Sequence, residues 1–91
     1  MSDLFWTREA LQDRETIYNY IESDNPIAAL ALDELFVARA RSLTEHPALG
    51  RPGRVSGTRE LSVHRRYVIV YAVAADTIQV LRILHTARHW R

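Results

Sequence analysis

Four histidines (His46, His64, His85 and His89) and eight of the twelve arginines lie in the second half of this 91-residue chain. Their chemistry is specific. A guanidinium fork holds a phosphate or carboxylate bidentately, and a neighbouring imidazole can give or take a proton near neutral pH. Arg51, Arg54, Arg59, Arg65, Arg66, Arg82, Arg88 and Arg91 could together line one anion-binding surface. For Arg51 and Arg54, which fall in a loop rich in glycine, a solvated role is the simpler alternative. Arg82 differs, because its neighbours Leu81, Ile83 and Leu84 are aliphatic and its charge needs a partner. His64 and His85 flank two apolar runs and could act as general acid or base on RNA; the plainer alternative is a strand-end histidine bonded to backbone. His46 precedes Pro47 and reads as a helix-end residue near a C-terminal dipole.

Metal chemistry finds little support. Only His85 and His89 stand four apart, and no carboxylate or second motif accompanies them. The chain has no cysteine, which excludes a disulfide framework and a thiolate nucleophile or ligand. Neither a metal nor a cofactor is expected. Trp6 and Trp90, near the two ends, are costly to expose and serve as core lids or partner contacts.

Net charge is +1, but its distribution is uneven. Residues 1–45 hold four arginines against nine acids, a balance of −5, and residues 46–91 hold eight against two, a balance of +6. An anionic partner for the second half, nucleic acid or an acidic protein segment, is one reading. The other is neutralisation of one half by the other, with arginine a compositional habit in a chain without lysine. Length fits one domain spanning residues 1–91 with a modest core. The start lacks a basic segment followed by an apolar one, and no run approaches a membrane span, so a cytoplasmic protein without membrane contact is expected.

These side chains must be positioned by a few elements. Tyr67–Ala74 is a near-continuous β-branched and aromatic run, as in a central strand covered on both faces. Thr77–His85 follows after Ala75-Asp76 and completes a hairpin. Alternation in the second strand puts Ile78, Val80, Arg82 and Leu84 on one face and Thr77, Gln79, Leu81, Ile83 and His85 on the other. Upstream, Leu4–Trp6 is an edge strand or an extension. Thr7 caps a helix reaching about Ser23, with Ala10, Leu11, Ile17, Tyr18 and Ile21 on its apolar side. Asp24-Asn25-Pro26 starts a second helix, to about Glu45, whose expected buried stripe is Ile27, Leu30, Ala31, Leu35, Ala38 and Leu43. His46-Pro47 stops it, Ala48–Gly57 is a loop, and Thr58–His64 alternates as a half-buried strand. The order strand, helix, helix, three strands predicts an α+β fold, with a helical hairpin on one face of a mainly antiparallel sheet.

The loop HPALGRPGRVSG leading into TREL, then YVIVYAV and TIQVLRILHTARHW, resembles the RelE/ParE superfamily of type II toxin–antitoxin toxins over essentially the whole chain. The resemblance implies a compact toxin held inactive by a cognate antitoxin, ParD-like or similar, in a hetero-oligomer. Two activities occur in the superfamily. RelE-like members cleave mRNA on the ribosome and carry an arginine in a GYRLVY-like strand; here Val68 stands at that position, in Tyr67-Val68-Ile69-Val70-Tyr71. A valine cannot stabilise a scissile phosphate. The YVIVY and RILHTAR segments look more like ParE members, which poison DNA gyrase and have no settled catalytic residues.

Three readings follow. A gyrase poison has no catalytic residue and uses Arg51, Arg54, Arg59, Arg65, Arg66, Arg82, Arg88 and Trp90 as partner-binding residues. A ribosome-dependent endonuclease assembles Arg59, His64, Arg82, His85 and Arg88, of which Arg88 matches a late arginine of RelE-like toxins. An interaction module without toxicity needs neither.

Overall fold

The structure is a computed structural model and describes residues 2–87. Its elements in chain order are β1 (Asp3–Trp6), α1 (Arg8–Glu22), α2 (Pro26–Ser42), β2 (Arg51–Pro52), β3 (Arg59–His64), β4 (Tyr67–Ala74) and β5 (Thr77–His85). The five strands form one sheet in the order β1-β5-β4-β3-β2. Only β1 runs parallel to its neighbour, β5; the other pairings are antiparallel. The fold is α+β, two helices on a mixed sheet, as expected.

Local chemistry explains the helix starts. The Thr7 hydroxyl accepts from the Ala10 N–H at 3.0 Å and donates to the Leu81 carbonyl at 2.9 Å, so one side chain caps α1 and ties it to β5. Asn25 accepts from the Ala28 N–H at 3.0 Å, and Pro26 opens α2 where no N–H is needed. α2 ends at Ser42, one turn before the expected Glu45, with Leu43 as its cap.

The core lies between the hairpin and one face of the sheet. Ala10, Phe36, Ala40 and Leu43 come from the helical layer, and Leu61, Ile69, Tyr71, Ile78, Val80 and Ile83 from the strands. Of the expected stripe of α2, Leu43 is buried, but Ile27, Leu30, Ala31, Leu35 and Ala38 are all exposed, Ile27 by 84%. The buried residues of the helix are instead Ala29, Phe36 and Ala40. Leu11 of α1 is exposed as well. α2 is apolar around most of its circumference, and periodicity cannot choose a face on such a helix.

A bulge in β5 corrects the strand alternation there, and a second bulge interrupts β3. Val70 pairs with Arg82 and Tyr71 with Val80, which leaves Leu81 as an extra residue. Past it the facing reverses, so Ile83 and not Arg82 joins Ile78 and Val80 in the core. Val63 is similarly extra between Ser62 and His64. A further difference is β2, two residues within the expected loop, which pairs Arg51 with Glu60 and Pro52 with Arg59.

Candidate docking groove and the basic residues around it

A groove of about 790 Å³ lies between the helical hairpin and the end of the sheet where β3 turns into β4. α1 contributes Asp13, Thr16, Ile17, Tyr20 and Ile21; α2 contributes Ala28, Ala31, Leu32 and Leu35; the sheet supplies Tyr67 and Ile83. His64, Arg65, Arg66 and His85 complete the lining at the sheet end. Apolar walls beside cationic and imidazole groups suit an amphipathic segment carrying acids.

Tyr67 is the aromatic centre of this site. Its ring stands edge-on to Phe36 at 5.7 Å and to His85 at 5.3 Å, with His64 at 6.3 Å. Both histidines meet the plainer expectation of backbone bonding. His64 Nδ1 accepts from the Arg66 N–H at 3.3 Å, and His85 Nδ1 accepts from the Ala87 N–H at 3.1 Å. An imidazole with Nδ1 as acceptor carries its neutral-state proton on Nε2.

The arginines do not gather into one constellation. Arg59 donates to the Gly50 carbonyl at 2.6 Å, and lies opposite Tyr71 whereas His64 lies opposite Tyr67. That separation along β3 is roughly 15 Å at about 3.3 Å per residue. Arg82 is clasped by Asp13 of α1, with Nε to Oδ2 at 2.7 Å and Nη2 to Oδ1 at 3.1 Å. The hydrogen bond to this carboxylate raises the Arg82 pKa above its already high ordinary value. Asp13 also accepts from the Ile83 N–H at 2.9 Å, satisfying β5 where the β1 pairing has ended.

Arg65 and Arg66 stand in the turn between β3 and β4, at the groove. Arg51 and Arg54 belong to the opposite end of β3, where Arg51 pairs with Glu60 at 3.6 Å and the Arg54 N–H donates to Glu60 at 3.0 Å. Arg88 and Trp90 lie outside the described residues. Among the described residues no group of histidines and acids could hold a metal, and no helix is long and apolar enough to cross a membrane.

Sequence reading missed Asp13 and the apolar groove walls. The bare charge of Arg82 in an aliphatic strand signalled that a partner exists, but nothing local pointed 69 residues back. Exposed Ala31 and Leu35, both in the groove wall, read as core for the reason given for α2, and Leu32 lies outside the expected stripe.

This helical hairpin on a mixed sheet is the fold of RelE/ParE superfamily toxins, and the chain is one of them. The chain belongs to the ParE branch: the family model for the ParE toxin of the type II toxin–antitoxin system parDE matches residues 4–90. Toxin RelE2 of Caulobacter vibrioides is 39% identical over 88 residues, covering 97% of this chain and 99% of that one. The Sinorhizobium fredii protein Y4kP is 37% identical over 86 residues, covering 93% and 88%. Among solved structures, a chain of the chromosomal ParDE system of P. aeruginosa superposes with a TM-score of 0.83 at 31% identity, covering 93% of this chain and 96% of that one. A YoeB/ParE toxin from Agrobacterium tumefaciens shares the fold at TM-score 0.66 and 19% identity, covering 91% and 96%.

Proposed function

We propose that this toxin acts by binding and poisoning DNA gyrase, and that its cognate antitoxin neutralises it by laying an acidic amphipathic segment into the groove. The observation that carries the first part is the state of Arg82. A ribonuclease needs cationic side chains aimed at the scissile phosphate. Here the arginine flagged for that role is held bidentately by Asp13, Arg59 is bound to a backbone carbonyl, and Val68 is a buried aliphatic residue. Similarity to the P. aeruginosa ParDE chain supports the same reading. The groove supports the second part, because its Leu32, Leu35 and Ile17 walls stand next to Arg65 and Arg66.

The experiment adds antitoxin-free protein to gyrase, plasmid and ATP and measures linear DNA trapped in cleavage complexes. The expected result is accumulation that the antitoxin reverses. Protein that arrests growth yet traps no DNA would overturn the proposal and move the target to the ribosome and mRNA, in keeping with the name of the Caulobacter relative.

A further inference from the structure

The end of β3 away from the groove carries a second built feature. Between Gly50 and Arg59 the chain makes a basic loop held from below by core side chains. The buried Tyr71 hydroxyl accepts from the Gly50 N–H at 2.8 Å and donates to the Pro47 carbonyl at 2.7 Å. Gly53 donates to the Thr58 carbonyl at 2.8 Å, and Gly57, at φ +87°, supplies the left-handed turn between them. Gly50 has no room for a side chain, since an added Cβ would sit 2.8 Å from the Tyr71 ring and from the Glu60 carbonyl.

Glu60 is the anchor of this loop. It is only 4% exposed, the one buried charged residue among those described. Its carboxylate accepts the Arg54 N–H and stands 3.6 Å from the Arg51 guanidinium, whose side chain is 70% exposed. Burying a carboxylate is costly, and one that is spent on a loop's backbone fixes that loop's shape. What the loop then presents is Arg51, Arg54 and Ser56, exposed together with Pro52 and Val55, and no acid lies between residues 46 and 59. No aromatic residue lies between 46 and 66, so there is no platform for stacking bases and no aromatic anchor for a protein pocket.

We infer that Arg51 and Arg54 grip the phosphate backbone of duplex DNA, and that Glu60 is the positioning residue that sets the loop for this contact. The inference rests on the gyrase reading for its purpose, since a poison of an enzyme that holds cleaved DNA gains by touching that DNA. The contact itself is testable without gyrase. Guanidinium forks on a loop that carries no opposing acid of its own recognise phosphates without reading sequence.

The test titrates a labelled 30-base-pair duplex with the free toxin at several salt concentrations and follows fluorescence anisotropy. Binding is expected to weaken linearly with log salt, and R51A/R54A to reduce that slope by about two, near one for each lost phosphate contact. Both changes are at exposed positions, and unchanged antitoxin binding certifies the fold. E60Q is expected to weaken duplex binding severalfold while retaining most of the slope. A wild-type protein that ignores the duplex at low salt, or a double variant with unaltered slope, would overturn the phosphate contact. Loss of binding to gyrase alone, with duplex binding intact, would reassign the loop to a protein partner and overturn it equally. E60Q that lowers the melting temperature but leaves duplex affinity untouched would remove the positioning role. Cleavage-complex trapping by the wild type is scored separately, so failure of the gyrase reading and failure of the loop contact are told apart.

Discussion

The two ends of β3 are built on opposite principles. At the Arg59 end, backbone groups of an irregular segment are satisfied by three core-anchored side chains, Tyr71, Glu60 and Arg59, and the surface above is basic and preformed. At the His64 end the sheet stops under a hairpin that has not been fully covered, and Leu35, Tyr20 and Ile27 remain exposed. The first end has its polar requirements met within the chain. The second leaves apolar area in water, which is worth about 25 cal/mol per Å² to any partner that covers it. A rigid basic loop suits contact with a charged surface that does not adapt, whereas an open apolar groove suits a segment that folds as it binds.

The largest expected effect breaks the groove from beneath. Phe36 is buried and supports the Tyr67 ring edge-on, so Phe36→Ala should lower the unfolding free energy by about 3–5 kcal/mol in urea denaturation. A loss under 1 kcal/mol would mean that the hairpin does not depend on this contact. Next comes a change that spares the core. Leu35→Glu places a charge on the exposed groove wall, and should weaken antitoxin binding by about 100-fold, roughly 2.7 kcal/mol, with the melting temperature nearly unchanged. Calorimetric titration of the purified pair decides it; native affinity in this variant would place the antitoxin elsewhere. At the loop end, Tyr71→Phe deletes a hydroxyl that serves two backbone groups in a buried place. Its expected cost is about 1–3 kcal/mol, and hydrogen exchange should show the Gly50 N–H losing protection before the rest of the sheet.

Much of this architecture was legible from local signals. Thr7 and Asn25-Pro26 mark the helix starts, and β4 and β5 begin and end where the β-branched runs do. What was illegible depends on distant partners. The inward face of α2 is decided by Phe36, Ala29 and Ala40 meeting the sheet and α1, not by a stripe, because Ile27, Leu30 and Leu35 are equally apolar. The Leu81 bulge inverts the expected facing of Arg82 without any glycine or proline to announce it. For the site, the clustering of basic residues in the second half was visible, and the expected strand Thr58–His64 already lies between Arg51 and Arg54 on one side and Arg65 and Arg66 on the other; pooling all four on one surface ignores the length of that strand.

The smallest expected effect in energy is the most informative about mechanism. Asp13 bridges α1 to Arg82 and to the Ile83 N–H, and Asp13→Asn keeps the shape while removing the charge that orients the guanidinium. An asparagine carbonyl can still accept one of these bonds, so the stability cost should be only about 1 kcal/mol in thermal unfolding. The same change releases Arg82 toward solvent. If the clasp only ties α1 to the bare edge of β5, growth arrest and gyrase trapping should persist within a few-fold of the wild type. If Arg82 were instead a nucleolytic residue held in reserve, Asp13→Asn should raise mRNA cleavage on purified ribosomes, and a further Arg82→Ala change should abolish it. That second pattern would make the Asp13–Arg82 clasp, level with Glu60 across the sheet, a guard on catalysis and move the target to the ribosome.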